Sequence, residues 1–323
     1  MAYLTRICLI CLAITFFLSS CIQQPVKKKY TLPKPPKTPT VTANVSDFSR
    51  VTNDSAPEGW PRVSPDGSKL LFHTLDRSKK NMSGYSIVMI EPGKVGRKLI
   101  AGPYADMPAW FPDGKNFAYQ YLKMRKPIFV RTPVNGVGMT FVSPQPLGDF
   151  DSQPDVSPDG KRIAFTTEIG DTMQICCVDT TGSNFTIYTE GQSPRWHPDG
   201  NKLLFDRKVG NAFQCFIFDM TNGQVTQLTS GNAYNIYPTW SPDGIWIAFN
   251  SNRDGKSHLY AMKSDGSQVT QLTSGGAQET SPEWSSDNTI YFASDAGAPK
   301  AQPQRVSSWQ YSNIWKLKPI LPE

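Results

Sequence analysis

The sequence contains few of the residues that build catalytic or metal-binding sites. It has three His and six Cys among 323 residues, and their spacing does not suit zinc. It has no Gly-x-Ser-x-Gly elbow, no His-Glu-x-x-His motif and no glycine-rich phosphate loop. Its aspartate-rich turns lack the alternating oxygen ligands of a calcium loop. We therefore expect no enzymatic activity, no metal and no cofactor.

A basic surface is also missing from most of the chain. The net charge of +6 comes from 33 Lys and Arg against 27 Asp and Glu. Six of the basic residues lie within residues 1–44, which contain no Asp or Glu, so residues 45–323 are neutral overall. A neutral domain lacks the basic footprint that phosphate backbones require. Nucleic acid is therefore excluded as a partner.

No segment shows a sustained helical period, and the hydrophobic pattern indicates strands. A turn phrase recurs six times, with successive aspartates 47, 46, 40, 44 and 44 residues apart. The copies are Ser64-Pro65-Asp66-Gly67, Phe111-Pro112-Asp113-Gly114, Ser157-Pro158-Asp159-Gly160, His197-Pro198-Asp199-Gly200, Ser241-Pro242-Asp243-Gly244 and Ser285-Ser286-Asp287-Asn288. A period of about 40–45 residues is typical of four-stranded propeller blades.

Each turn is preceded by Pro-x-Trp or Pro-x-Val and followed by a short apolar run that contains an aromatic residue, such as Trp246 to Phe249. Apolar runs bounded by turn residues read as buried strands. The regular tryptophans indicate packing between blades. We therefore predict an all-β fold, a six-bladed β-propeller of four-stranded antiparallel blades, over residues 45–323.

The two ends of this domain predict how the ring closes. The last repeat lacks a fourth strand, whereas Phe48 to Thr52 resembles the fourth strand Val225 to Thr229 and precedes the first blade. We predict that residues 45–52 complete the last blade, which would remove an open seam.

The N-terminal region predicts export and lipid anchoring. Residues 1–20 combine Arg6 with an apolar stretch from Ile7 to Leu18, as in a secretory signal. Leu18-Ser19-Ser20-Cys21 resembles a bacterial lipobox, which implies a lipid on Cys21; the alternative is a plain signal with an incidental cysteine. Residues 21–44 are rich in Pro and Lys and predict an extended tether. Ile22 resembles the outer-membrane pattern of such lipoproteins.

Cys176, Cys177 and Cys215 are the cysteines left in the predicted propeller. We expect them to be buried thiols, with a disulfide from Cys215 to blade three as the alternative. The three histidines are scattered, and we interpret each as structural.

The repeat resembles that of the TolB family. The resemblance is carried by Pro238-Thr239-Trp240-Ser241-Pro242-Asp243-Gly244 with Trp246 to Phe249, by Ser251 to Gly255 and by Gln271-Leu272-Thr273, and it is strongest in blades four to six. It implies a six-bladed propeller in the periplasm that binds a peptidoglycan-associated lipoprotein over one end of its channel. TolB proteins carry an additional α/β domain where this chain has only the tether. The repeat also resembles the propellers of prolyl-oligopeptidase-type peptidases, which need an attached hydrolase domain.

We therefore expect a lipid-anchored, non-catalytic scaffold for protein interaction in the bacterial envelope, facing the periplasm from the outer membrane. The alternative is a propeller that binds or processes a small ligand or sugar in its channel. The expected partner contacts are the residues leading into the first strands, namely Glu58, Trp60, Asp106, Met107, Asp151, Gln153, Gln192, Asn235, Tyr237 and Glu279.

The residues between each Pro and its Trp or Val predict ion pairs between neighbouring blades. These are Glu283 with Arg62 and Asp155 with Arg195.

Overall fold

The computed structural model describes residues 37–54, 56–75, 84–122, 128–135, 140–142, 151–297 and 312–322. They form 26 strands: β1 (Thr40–Val41), β2 (Val45–Arg50), β3 (Glu58–Val63), β4 (Leu70–Leu75), β5 (Tyr85–Ile90), β6 (Lys98–Ala101), β7 (Ala105–Trp110), β8 (Asn116–Tyr121), β9 (Ile128–Pro133), β10 (Thr140–Phe141), β11 (Ser152–Val156), β12 (Arg162–Ile169), β13 (Thr172–Asp179), β14 (Thr186–Glu190), β15 (Gln192–Trp196), β16 (Lys202–Val209), β17 (Ala212–Asp219), β18 (Val225–Gln227), β19 (Asn235–Trp240), β20 (Trp246–Ser251), β21 (His258–Lys263), β22 (Thr270–Gln271), β23 (Thr273–Ser274), β24 (Glu279–Trp284), β25 (Ile290–Ser294) and β26 (Asn313–Pro319).

Six four-stranded antiparallel sheets form the blades of a propeller, as predicted. Blades one to five take their strands in chain order, beginning with β3, β7, β11, β15 and β19, and blade six has the order β24-β25-β26-β2. The first strands of neighbouring blades contact one another in a closed cycle, in which β24 of blade six also contacts β3 of blade one. These first strands therefore surround a central channel. We call the end at which they begin the upper end, and the end with the Ser-Pro-Asp-Gly turns the lower end.

The predicted closure of the ring is confirmed. Strand β2 pairs antiparallel with β26, with Phe48 opposite Leu317 and Arg50 opposite Trp315. The rings of Phe48 and Trp315 stack with centroids 5.2 Å apart. The N-terminal strand thus supplies the outer edge of the last blade.

Hydrogen bonds explain the composition of the recurring turn. Ser64 Oγ donates to Asp66 Oδ1 at 2.6 Å, and Ser64 Oγ also accepts a hydrogen bond from Lys69 N at 2.9 Å. Gly67 has a φ of 74°, a left-handed conformation that favours glycine. In the degenerate sixth copy Asn288 takes this role with a φ of 63°, since asparagine tolerates the left-handed region. The turn therefore fixes the start of each second strand.

The core consists of six apolar clusters, one between each pair of neighbouring blades. For example, Leu70 and Phe72 of blade one pack with Tyr291 and Ile314 of blade six. The predicted role of the tryptophans in packing between blades is confirmed, because the indole nitrogens of Trp110, Trp196 and Trp240 donate to backbone oxygens of the preceding blade at 2.9, 3.2 and 3.3 Å. Burial between blades is therefore what holds the sheets together.

The structure corrects the predicted boundary between tether and propeller. Residues 21–44 were expected to be an extended tether, but Thr40 and Val41 pair with β23 at the edge of blade five. Thr42 N also donates to Leu272 O at 3.0 Å. Thr40–Val41 is the β-branched, apolar end of an otherwise Pro- and Lys-rich stretch, so it can add to an available strand edge.

The signal sequence, Cys21 and the tether up to residue 36 lie outside the described residues. Over the part that is described, no helix is long and apolar enough to cross a membrane. Cys176, Cys177 and Cys215 are buried, free thiols, in accordance with the first of the two expectations.

Candidate functional site at the central channel

Each of the six first strands bulges into the channel one residue before its proline. The pairing with the second strand shifts in register there in every blade. Proline cannot donate to a strand ladder, so it is tolerated at such a bulge. The bulged residues have φ values between 48° and 58° and are Trp60, Met107, Gln153, Ser193, Tyr237 and Ser281.

In three blades, polar side chains of the preceding blade hold the bulge. Thr166 Oγ1 accepts a hydrogen bond from Ser193 N at 3.0 Å. At the equivalent position in the next blade, Asp206 Oδ1 accepts from Tyr237 N at 3.1 Å. Asn250 Oδ1 accepts from Ser281 N at 3.0 Å. These bonds stabilise a backbone conformation that is otherwise unfavourable for residues with a side chain.

A buried ion network crosses the channel below the bulges. Glu283 Oε2 lies 3.0 Å from Arg62 Nη1 and also contacts Arg195 Nη2. Arg195 Nε lies 3.5 Å from Asp155 Oδ1. Both predicted ion pairs are therefore present, and the contact of Arg195 with Glu283 additionally joins blades four and six.

Two hydrogen bonds extend this network to the remaining blades. Arg62 Nε donates to Pro108 O of blade two at 3.0 Å, and Arg195 Nη2 donates to Thr239 Oγ1 of blade five at 3.0 Å. The network thus contacts the first strands of all six blades. Burial raises the pKa of the Asp155 and Glu283 carboxyls to about 7, against the opposing effect of Arg62.

The channel is narrow in the middle and wider at both ends. Its middle holds a cavity of about 20 Å³, beside which the rings of Trp60 and Tyr237 meet edge to face with centroids 5.1 Å apart. A cavity of about 300 Å³ opens at the upper end, lined by Trp60, His73, Tyr85 and Asp106 among others. A cavity of about 210 Å³ opens at the lower end, beside Asp155, Arg195 and three tryptophans.

Five of the ten predicted partner contacts are buried beneath the upper surface: Glu58, Asp106, Asp151, Asn235 and Glu279. The carboxylates of Glu58 and Asp151 are already used within the protein. Glu58 accepts from Thr52 Oγ1 and, at 2.6 Å, from Arg97 Nη2, and Thr167 Oγ1 donates to Asp151 at 2.5 Å. Burial raises the pKa of Glu58. This placement corrects their expected exposure on the rim.

The other five predicted contacts are partly exposed: Trp60, Met107, Gln153, Gln192 and Tyr237. Gln192 lies one residue before a bulge, and its Nε2 donates to Asp206 Oδ2 at 2.7 Å. The other four are bulged residues that line the channel.

The histidines differ in their surroundings. His197 packs edge to face on Trp240, with centroids 4.6 Å apart, and His258 is buried with Nδ1 2.8 Å from Glu279 Oε2. Burial alone would lower the pKa of His258, but the Glu279 and Asp254 carboxylates raise it overall. These two are structural, as expected, whereas His73 lines the upper cavity beside Asp106.

Asp206 is a buried carboxyl that the sequence did not single out. It is 0% exposed, and no ion pair to it occurs among the residues that the structure describes. Burial raises its pKa to about 7, although Gln192 and Tyr237 donate hydrogen bonds to it. The sequence gives little indication of this buried carboxyl, because the equivalent positions in four other blades hold different residue types. These are His73, Gln120, Thr166 and Asn250.

Replacing Asp206 with Asn is expected to stabilise the protein more at pH 8 than at pH 5. The folded-state pKa lies above the ordinary value, so the unfolded chain releases the Asp206 proton from about pH 4 upward whereas the folded protein keeps it until about pH 7, and the free energy of unfolding falls across this interval. Raising a carboxyl pKa from 3.8 to about 7 corresponds to up to roughly 4 kcal/mol once it is fully ionised. Denaturant unfolding at both pH values measures the difference.

The matched control for this variant is Asp171→Asn, which changes an exposed carboxyl in a hairpin. It should leave the free energy of unfolding within about 0.5 kcal/mol of the unmodified chain at both pH values. An equal gain for Asp206→Asn at pH 5 and pH 8 would contradict the titration of a buried carboxyl.

Comparison with known proteins supports the resemblance of the repeat. Residues 187–313 match the TolB beta propeller domain, which agrees with the predicted strength of the likeness in blades four to six. No curated protein matches the chain in sequence.

Solved structures share the fold at low sequence identity. TolB from Acinetobacter baumannii is similar with a TM-score of 0.60 and 20% identity, over 84% of this chain and 66% of that protein, slightly less than two thirds of its length. A protein assigned as TolB from Agrobacterium tumefaciens has a TM-score of 0.58 and 21% identity, over 70% of this chain and 87% of its own. An oligogalacturonate lyase in complex with manganese has a TM-score of 0.54 and 12% identity, over 89% and 97%. In the described residues no group of three or more His, Cys, Asp or Glu is placed to hold a metal ion.

Proposed function

We propose that this protein is a lipid-anchored, non-catalytic scaffold of the bacterial cell envelope, whose propeller binds another envelope protein across the upper end of its channel. The TolB-like repeat and fold support an envelope location and a role in protein interaction. The lipobox-like Leu18 to Cys21 supports anchoring by a lipid on Cys21, and Ile22 favours the outer membrane. The partner we propose is a lipoprotein of the peptidoglycan-associated type.

The observation that carries the proposal is a set of exposed apolar side chains at the upper end. Met173, Val209 and Tyr234 are 36%, 43% and 45% exposed, and they lie at the upper end of blades three, four and five. The ring of Phe213 packs edge to face against Tyr234, with centroids 5.9 Å apart. Tyr, Phe and Met are enriched in protein interfaces.

The narrow middle of the channel also favours a surface interaction. Ligand pockets that enclose a small molecule generally measure about 300–1,000 Å³, and the middle cavity of about 20 Å³ is far below this range. A partner at the upper end would contact Trp60, Met107 and Tyr237 at the mouth together with the exposed side chains of blades three to five.

Photo-crosslinking in intact cells tests the proposal. A photoreactive residue replaces Tyr234 in the full-length chain, and a matched residue replaces Ile245, which is 51% exposed in a lower-end turn. We expect an adduct with an envelope lipoprotein from position 234 and none from position 245. Adducts from both positions, or from neither, would count against a partner at the upper end.

The same cells test the anchor. The unmodified chain is expected in the membrane fraction, and the Cys21→Ser variant in the soluble periplasmic fraction, because a lipid chain contributes about 0.8 kcal/mol of membrane affinity per buried methylene. An unchanged distribution of the variant would refute anchoring through Cys21.

A further inference from the structure

The upper cavity combines aromatic rings with a carboxylate oxygen that accepts no hydrogen bond from a described residue. It is lined by residues of blades one, two, five and six and has a volume of about 300 Å³. Trp60, Tyr85 and Tyr237 line it together with His73 and Asp106. Gly59 makes room for the histidine, since a side chain there would come within 2.6 Å of His73 Nε2.

Asp106 presents an unpaired acceptor to this cavity. Its side chain is 8% exposed, and its Oδ1 contacts His73 Nδ1 and accepts from Met107 N at 2.7 Å. No described residue donates a hydrogen bond to its Oδ2. A carboxylate oxygen that is nearly buried and unpaired is unfavourable unless a donor is supplied.

Trp60 contributes its ring to the same cavity. Its Nε1 is buried and has no hydrogen-bond partner among the described residues, so it is not open to a ligand in the cavity. The cavity therefore offers an acceptor to a ligand, beside three aromatic rings. A ligand that matches it has hydroxyl groups on its edge and an apolar face for the rings.

Charge narrows the class of ligand. No Lys or Arg is among the described residues that line the cavity, so this described lining supplies no group that would pair with a carboxylate, sulfate or phosphate. A cation is disfavoured because Asp106 is already in contact with His73. A purely apolar ligand is disfavoured because it would leave Asp106 Oδ2 without a hydrogen-bond donor. The volume lies at the lower end of ligand pockets, which suits a single ring.

We propose that this cavity binds one neutral sugar ring of a glycan chain. A hydroxyl group of the sugar donates to Asp106 Oδ2, while the C–H face of the sugar packs against the aromatic rings. The inference goes beyond the proposed scaffold role, because the ligand is a glycan and its binding needs no protein partner. It involves binding alone and no reaction.

Calorimetric titration of the purified full-length protein tests this inference. The probes are chitotriose and cellotriose as neutral glycans, trigalacturonate as an anionic glycan, and cadaverine as a cation. We expect binding of at least one neutral trisaccharide, with a change in tryptophan fluorescence from Trp60. Asp106→Asn should weaken this binding about 10- to 100-fold, because it replaces the charged acceptor with an amide donor.

A stability measurement and a second variant serve as controls. Asp106→Asn retains an oxygen that can contact His73 and Met107 N, so its unfolding midpoint should stay close to that of the unmodified chain. Asp171→Asn changes an exposed carboxyl outside the cavity and should leave glycan affinity unchanged. Failure of both neutral glycans to bind, tighter binding of trigalacturonate or cadaverine, or equal affinity of Asp106→Asn and Asp171→Asn would overturn the proposal.

Discussion

Replacing Glu283 with alanine is expected to lower the free energy of unfolding by about 3–5 kcal/mol. Glu283 is buried and contacts two guanidinium groups, Arg62 at 3.0 Å and Arg195. Its removal leaves Arg62, which is 4% exposed, without its acidic partner. A buried, unpaired charge is among the most destabilising changes that one substitution can cause. Urea unfolding at pH 8 measures the effect, since the network is ionised there.

Two comparisons distinguish the effect of losing the ion network on the free energy of unfolding from the effect of losing side-chain volume. Glu190→Ala removes an exposed carboxyl on β14 and should cost less than about 0.5 kcal/mol. In a double-mutant cycle, Glu283→Gln and Arg62→Gln should cost less together than the sum of the single changes, by about 1–3 kcal/mol. Additive costs would show that the two side chains do not interact energetically.

Deletion of residues 45–52 is expected to lower the melting temperature by at least about 10 °C. This segment contains β2, which supplies the outer edge of blade six. Its loss exposes Trp315, which is 3% exposed in the intact ring, and leaves the backbone of β26 unpaired on one side. A loss of several kcal/mol shifts the melting temperature by about 2–4 °C per kcal/mol in a domain of this size.

A disulfide across the seam provides the complementary test. Ser49 and Lys316 are directly opposite in the pairing of β2 with β26, so Ser49→Cys with Lys316→Cys should raise the melting temperature under oxidising conditions and lose this gain on reduction. The same pair of substitutions in reduced protein is the control.

An unchanged melting temperature after deletion of residues 45–52 would mean that the pairing of β2 with β26 does not contribute to closure of the ring.

The repeat pattern predicted most of the fold because its signals are local. Turn residues such as Asp66 and Gly67 act through their own backbone, and Phe48 to Thr52 copies a strand found elsewhere in the chain. The pairing of Arg62 with Glu283 also followed, because equivalent positions of neighbouring blades must lie close once the ring closes. Each of these inferences needs only the order of the blades.

Features that depend on the width of the channel could not be predicted in this way. Arg195 of blade four contacts Glu283 of blade six, two blades away, and this contact requires a narrow channel. The spacing of the repeats does not give the width of the channel. The acidic residues Glu58 and Glu279 were expected at an exposed rim because they lie where the chain leads into the first strands, and loops at one end of a propeller usually carry its contacts. They are buried since Thr52 and Arg97 donate to Glu58, and Thr273 and His258 contact Glu279.

The pairing of Thr40–Val41 with blade five has a mechanical consequence. Tension applied at the N-terminus reaches β1 before it reaches β2, and β1 is held by a two-residue pairing whereas β2 pairs over most of its length. The shorter contact breaks first and frees residues 40–44, which adds up to roughly 15 Å of extended chain at about 3.3 Å per residue. This segment therefore detaches and extends before the last blade is pulled apart.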